Sequence, residues 1–94
     1  MPEETVAQEE ILAELKAYVE ERFLPEGTAS LATDAPLLKL GILTSLNTTE
    51  LIAHIHEQYR LYIPPEDIVG QNFKSLEAIS SLVFRLQGDP AAMA

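Results

Sequence analysis

Three stretches of the chain repeat apolar residues every three or four positions, which is the spacing of one face of an α-helix. They cover residues 3–23, 45–60 and 75–87. The residues expected to face a core are Ile11, Leu12, Leu15, Val19 and Phe23, then Thr48, Leu51, Ile52, Ile55 and Tyr59, and finally Leu76, Ile79, Val83 and Leu86. No stretch alternates apolar and polar residues for long enough to predict a β-strand. The sequence therefore predicts an all-α fold, and its 94 residues are enough for one hydrophobic core.

The segments between these stretches complete the predicted architecture. Residues 25–44 mix Pro, Gly, Ser, Thr and Asp, a composition typical of a long loop. Its apolar residues would be costly to leave in water, so we expect the loop to fold back and bury Leu31, Leu37, Leu38, Leu40, Ile42 and Leu43. Pro65 can begin a short helix that ends at Val69. We predict a four-helix bundle with three main helices, one short helix and a long first loop, forming a single domain over 1–88 with a disordered tail over 89–94.

Charge and cysteine content exclude several functions. Lys and Arg total 6 against 15 Asp and Glu, so the net charge is -9. Nucleic acids and anionic membranes recruit basic residues, so we expect neither as a partner and expect basic protein surfaces instead. The lack of cysteine excludes disulfides, thiolate metal sites and a cysteine nucleophile, and it fits a cytoplasmic protein. No apolar run approaches the roughly 20 residues of a membrane span, and we expect no targeting sequence in the acidic first ten residues.

The residue types that usually carry catalysis form no recognisable set. The sequence has no glycine-rich phosphate loop, no HExxH and no Ser/His/Asp set at a known local spacing. His54 and His56 lie two positions apart on the second helix, so they point about 200° apart and cannot share a metal ion. We assign them no role beyond a surface contact between Glu50 and His54. We therefore expect no catalytic residue, no metal and no enzymatic activity.

The most informative segment is the glycine turn that leads into the second helix, Gly41-Ile42-Leu43-Thr44-Ser45-Leu46. Thr44 or Ser45 can simply cap the helix, because a hydroxyl oxygen accepts hydrogen bonds from the free amides at a helix start. A serine hydroxyl at this place would also suit a phosphodiester, whose charge the free N–H groups and the helix dipole would stabilise. The local pattern leaves both interpretations open.

This segment, continued by Asn47-Thr48-Thr49-Glu50-Leu51, resembles the phosphopantetheine attachment motif of acyl and peptidyl carrier proteins. The family pattern is Gly, one or two apolar residues, Asp-Ser-Leu, and then polar, Thr, apolar, Glu and Leu residues. Ile63-Pro64-Pro65-Glu66-Asp67-Ile68 resembles the family segment before the short helix, and Asn72-Phe73-Lys74-Ser75-Leu76-Glu77-Ala78-Ile79 resembles the start of its last helix. The resemblance covers about residues 9–86, and ordered matches of this kind are far more specific than a lone Ser-Leu pair.

The resemblance implies a carrier that performs no catalysis itself. A phosphopantetheinyl transferase would attach 4′-phosphopantetheine from coenzyme A to Ser45 with the help of Mg²⁺, a step called priming. The thiol of this arm would hold an acyl or aminoacyl group as a thioester. An adenylating or acyl-loading ligase would supply that group, and downstream biosynthetic enzymes would use it. We expect a monomer, and the lack of cysteine is understandable because the reactive thiol arrives with the arm.

Residues around the serine are the expected contacts for partner enzymes, because an enzyme that draws in the arm must cover the surface from which it leaves. This surface is expected to contain Ile42, Leu43, Thr44, Leu46, Thr49 and Glu50, although Leu43 fits a core position equally well. Thr44 stands where the family usually has Asp, so we expect Thr44→Asp to speed priming by a generic transferase. Thr49 stands where the family often has an apolar residue, which predicts a different choice of partner.

Two features resemble the stand-alone aminoacyl or peptidyl carriers of natural-product biosynthesis more than fatty-acid carriers, which more often have one residue at this spacing and a more acidic second helix. Two residues separate Gly41 from Thr44, and the second helix has only Glu50 and Glu57 as acids. The alternatives are an acyl carrier of the fatty-acid or polyketide type, a carrier-fold protein that is never primed and acts as a docking or regulatory module, and an unrelated helical adaptor. If the fold shelters the cargo, we expect the pocket among the apolar residues of the second and last helices.

Overall fold

A computed structural model of the chain describes residues 6–24 and 30–89. In these residues the protein is all-helical and has no β-strand, as the sequence predicts. Three α-helices follow one another in the order α1 (Gln8–Phe23), α2 (Ser45–Tyr59) and α3 (Leu76–Gln87). Two 3₁₀ turns, Pro65–Asp67 and Gly70–Phe73, lie between α2 and α3.

The predicted apolar stripes form the core. The fully or nearly fully buried apolar residues of the α-helices are Ile11, Leu15 and Val19 of α1, Leu51 and Ile55 of α2, and Leu76, Ile79, Leu82, Val83 and Leu86 of α3. The flanking positions Leu12, Phe23, Thr48, Ile52 and Tyr59 are half-buried. The helices α1 and α3 pack against each other, and Leu51 and Ile55 of α2 join their buried residues in one core.

The first helix begins later than its charge pattern predicts. We expected it from Glu3, but α1 starts at Gln8, and residues 1–5 lie outside the described part of the chain. Val6 is held in place before the helix by the side chain of Gln87 at the end of α3. The Val6 amide donates to Gln87 Oε1 and the Gln87 amide group donates to the Val6 carbonyl, both at 2.9 Å. The two ends of the helical unit are therefore bonded to each other.

The long loop folds back as predicted, but it does not bury all its apolar residues. Leu31, Leu37 and Leu43 enter the core, whereas Leu38 and Leu40 are exposed and Ile42 is half-buried. The prediction was wrong for Leu38 and Leu40 because residues 36–41 form a tight turn, in which the Leu40 amide donates to the Pro36 carbonyl at 2.9 Å. A turn of this kind can direct only some of its side chains inward.

Leu37 fixes this loop to the start of α3. Its amide donates to the Lys74 carbonyl at 2.8 Å, and its own carbonyl accepts from the amides of Ile42 at 3.0 Å and Leu43 at 3.2 Å. The Glu77 amide adds a bond to the Thr33 carbonyl at 3.0 Å. Since the Leu37 side chain is completely buried, the residues that lead into α2 are held by packing and hydrogen bonds together.

The prediction of one short helix over Pro65–Val69 was wrong in its bounds and its type. Two 3₁₀ turns replace it, and Gly70 begins the second turn instead of ending the first. Extended backbone at Val69 separates them, and the amides of Asp67 and Ile68 bond only three residues back, so a regular α-helix does not develop. The predicted tail lies outside the described residues except for Asp89, whose amide donates to the Leu86 carbonyl at 3.0 Å.

Candidate functional site

The glycine turn enters α2 through a complete capping box. Gly41 adopts φ +75°, a left-handed conformation that favours glycine, and the chain then extends to Thr44, the N-cap residue. The Thr44 hydroxyl accepts from the Asn47 amide at 3.3 Å, and Asn47 Oδ1 accepts from the Thr44 amide at 2.6 Å. Of the two caps that the sequence allowed, the structure uses Thr44.

Ser45 is therefore free of the capping role. It is the first residue of α2, its side chain is exposed, and within residues 6–24 and 30–89 its hydroxyl makes no hydrogen bond. In the same described part of the chain, the amides of Ser45 and Leu46 are without an acceptor, as expected for the first amides of a helix. The first turn of α2 holds no acidic residue. A negatively charged group attached to Ser45 would thus meet the positive end of the helix dipole without a competing carboxylate.

An apolar groove of about 410 Å³ opens beside Ser45. One wall is the start of α2 and the residue buried before it, and the other is the glycine turn together with the two 3₁₀ turns. The lining residues are Leu43, Thr44, Ser45, Thr48, Thr49 and Ile52 on the first side, and Leu38, Ile68, Val69, Gly70 and Phe73 on the second. The groove thus lies by α2 and the 3₁₀ turns, whereas we expected a pocket between the second and last helices.

The predicted contact residues are placed unequally. Leu46 is the most exposed large apolar residue described, at 80% of its free surface, and Thr44, Thr49 and Glu50 are also exposed. Ile42 is half-buried, and Leu43 takes the core position that we had considered for it, at 2% exposure.

Sequence reasoning missed the exposed apolar residues on the far wall of the groove, Leu38, Ile68 and Val69. For Ile68 and Val69, the pattern that could have found them is an apolar pair directly before Gly70, in a short segment that follows Pro64 and Pro65. Together with Leu46 they make the surroundings of Ser45 apolar, although the protein as a whole is strongly acidic.

His54 packs α2 against α1, whereas His56 Nδ1 lies 3.0 Å from the Leu61 carbonyl just after α2. His54 Nε2 lies 2.7 Å from Glu14 Oε2, and the ring stacks on Tyr18 with centroids 3.7 Å apart. The expected contact with Glu50 is absent, because Glu50 pairs instead with Arg22 at 3.4 Å. Burial, and then the neighbouring Glu14 carboxylate that accepts a hydrogen bond from the Tyr59 hydroxyl, raise the pKa of Tyr59. No group of described His, Asp and Glu residues could hold a metal ion.

The chain matches one family model and is similar to solved structures. The family model for the phosphopantetheine attachment site matches residues 13–83. The chain is also similar to a chain in the crystal structure of an FAD-dependent dehydrogenase, at 33% identity and a TM-score of 0.70. That match covers 74% of this chain, which is about 70 of the 94 residues, and 99% of the other chain. No curated protein matches the sequence, and no helix among the described residues is long and apolar enough to cross a membrane.

Proposed function

We propose that this chain, which belongs to the family of proteins with a phosphopantetheine attachment site, carries an aminoacyl or acyl group on an arm attached to Ser45. The cofactor of the family is 4′-phosphopantetheine, and its terminal thiol holds the group as a thioester. The observation that carries the proposal is the exposed hydroxyl of Ser45 at the first residue of α2, which makes no hydrogen bond to any described residue and lies within the segment that the family model matches.

The residues present fit the phosphodiester of such an arm. The amides of Ser45 and Leu46 can donate to its oxygens, and the helix start stabilises its charge by about 0.3–1 kcal/mol. The Thr44 hydroxyl already satisfies the Asn47 amide, so attachment at Ser45 requires no rearrangement of the cap. The chain therefore supplies a place, an orientation and a favourable potential for the arm, and the chemistry on the carried group is left to separate enzymes.

The groove supports the choice of a small apolar or mixed-polarity cargo. Ser45 is one of its lining residues, its lining is mainly apolar, and it is open to solvent. A charged cargo would lose water there without gaining a partner, because the residues lining the groove are uncharged.

The expected partners are a phosphopantetheinyl transferase, an adenylating or acyl-loading ligase, and downstream biosynthetic enzymes in the cytoplasm. The dehydrogenase crystal structure supports one class of downstream enzyme in particular. A unit of about 70 residues is smaller than the two-part fold that binds a dinucleotide, so the similarity suggests a flavin-dependent partner and no dehydrogenase activity in the chain itself. Such a partner would remove two hydrogens from the carried group and reduce its own FAD.

The test is the intact mass of the protein after incubation with coenzyme A, Mg²⁺ and a transferase of broad specificity. We expect one phosphopantetheine on the wild type, one on Ser81→Ala and none on Ser45→Ala. Ser81 is a matched control because it is an exposed serine on α3. Modification of Ser45→Ala, or none on the folded wild type, would contradict the proposal.

A second candidate is a carrier-fold module that is never primed. The observation in its favour is Thr44, whose hydroxyl is occupied within the capping box and which lacks the charge of the family aspartate. Intact mass of the protein purified from its native host separates the two, since an unprimed module carries no arm there. Loading of the primed protein with a panel of amino acids and fatty acids then distinguishes an aminoacyl carrier from a fatty-acid or polyketide carrier.

A further inference from the structure

We infer that Asn47 is a positioning residue for the modification of Ser45 and that it acts as a matched pair with Thr44. The inference rests on the proposed function, because it concerns how the attachment serine is presented to the transferase. It comes from the hydrogen bonds of one side chain, which reach back to Thr44 and Ile42 ahead of Ser45.

The Asn47 side chain makes hydrogen bonds to the backbone on both sides of Leu43. Its Oδ1 accepts from the Thr44 amide at 2.6 Å, and its Nδ2 donates to the Ile42 carbonyl at 2.7 Å. The orientation of the amide is fixed, because turning it over would set an N–H group against the Thr44 amide and an oxygen against the Ile42 carbonyl. The direction in which Ser45 leaves the loop is thus set by a residue two positions after it.

This fixed orientation dictates what position 44 can hold. The Thr44 hydroxyl lies 3.2 Å from Asn47 Oδ1 and donates to it, while also accepting from the Asn47 amide. A hydroxyl can do both, whereas an ionised carboxylate only accepts. Aspartate at position 44 would keep the cap on the Asn47 amide but would bring its negative charge close to the Oδ1 oxygen.

The pair therefore changes what we expect from Thr44→Asp. From the sequence alone, this substitution restores the residue typical of the family and should speed priming. With Asn47 in place, the carboxylate repels Oδ1 and loosens the bonds to the Thr44 amide and the Ile42 carbonyl. The benefit of the aspartate should appear only when Asn47 is removed as well.

The experiment is a double-mutant cycle on priming, using the wild type, Asn47→Ala, Thr44→Asp and the double variant with coenzyme A and a broad-specificity transferase. Gln87→Ala is the matched control. The Gln87 side chain also makes two hydrogen bonds to the backbone, at Val6, but it lies at the end of α3, away from Ser45. We expect Asn47→Ala to lower kcat for priming about tenfold with a smaller change in KM, since a misplaced hydroxyl reacts slowly once bound. Gln87→Ala should leave kcat unchanged.

Whether Thr44→Asp speeds or slows priming in each background shows whether Thr44 and Asn47 act together or independently. We expect Thr44→Asp to slow priming when Asn47 is present and to speed it in the Asn47→Ala background. The same factor in both backgrounds, or equal kcat values for Asn47→Ala and Gln87→Ala, would overturn the inference while leaving the proposed function intact.

Amide hydrogen exchange at residue 44 in the unprimed proteins checks the geometry without any transferase. The Thr44 amide should exchange faster in Asn47→Ala than in the wild type, and the amide of residue 44 should also exchange faster in Thr44→Asp. Unchanged exchange would refute the clamp. If the folded wild type accepts no arm, the proposed function itself is refuted. This outcome is distinct from a failure of the Asn47 inference, in which the wild type is still primed.

Discussion

Leu43 and Leu46 are three residues apart, have the same side chain and differ almost completely in exposure, at 2% and 80%. We predict opposite consequences for their replacement by alanine. Leu43→Ala should destabilise the fold, whereas Leu46→Ala should leave stability unchanged and weaken the interaction with the proposed loading ligase. Comparing the two variants distinguishes a residue that packs in the core from a residue that contacts partners, at nearly the same place in the chain.

The magnitudes follow from the two environments. Replacement of a buried leucine by alanine costs about 2–5 kcal/mol, and the lower half is expected for Leu43 because the groove beside it lets the site relax. This is a large share of the roughly 5–15 kcal/mol that stabilises a domain of this size. Leu46 has most of its surface still to bury, so covering it with a partner should contribute about 1–2 kcal/mol, or roughly 5- to 30-fold in Kd.

Two assays give the answer. Urea unfolding followed by circular dichroism should show a lower midpoint with an unchanged slope for Leu43→Ala, and no change for Leu46→Ala. Loading of primed protein by its ligase, measured as a function of carrier concentration, should show a raised KM for Leu46→Ala. Normal loading of Leu46→Ala would refute its contact role, and a loss of stability comparable to that of Leu43→Ala would refute the exposed placement of its side chain.

Three further predictions concern other parts of the structure. Gly41→Ala should destabilise the fold by about 1–2 kcal/mol in urea unfolding, because φ +75° strains any residue with a Cβ although the space around it is free; an unchanged midpoint would show that the turn can relax. Burial and then Glu14 raise the pKa of Tyr59 above its ordinary value of 10.0, so the folded state keeps a proton that the unfolded state loses. The free energy of unfolding should therefore be unaffected by Tyr59 below about pH 10 and fall above it, by at most about 1.4 kcal/mol per pH unit, and Tyr59→Phe should remove this contribution. Glu50→Lys should slow association with a basic partner in a salt-dependent way, whereas the same charge change at the exposed Glu10 of α1, Glu10→Lys, should not; equal effects would mean that recognition depends on overall charge.

Helical periodicity predicted the core well because the spacing of apolar residues follows from which face of a helix is buried. The inward positions predicted for α3 are all buried, since a helix packed on one side must repeat its apolar residues every three or four positions. The loop was harder, because apolar residues in a turn have no period. Leu37 and Leu38 are adjacent and chemically alike, and only the hydrogen bonds to Lys74, Ile42 and Leu43 determine which of them enters the core.

The candidate site also has parts that the sequence predicted and parts that it did not. The place of Ser45 at the start of α2 was predictable from the glycine turn and the hydroxyl residues that follow it. The bonds of Asn47 were not predictable, because asparagine three positions after a cap is compatible with several partners. The groove depends on the 3₁₀ turns, whose break at Val69 and Gly70 is a matter of backbone conformation that residue types only suggest.

The bond between Val6 and Gln87 has a consequence for protein engineering. Because the unit begins and ends at one point, its two ends could be joined by a short linker, or the whole unit could be inserted into a surface loop of another protein, without stretching the fold. The loop that leads to Ser45 is bonded to Lys74 at the opposite end of α3, about 18 Å away for a helix of 12 residues. A scaffold that grips the unit by its joined ends would therefore leave the serine and its surrounding apolar surface turned toward the enzymes that visit it.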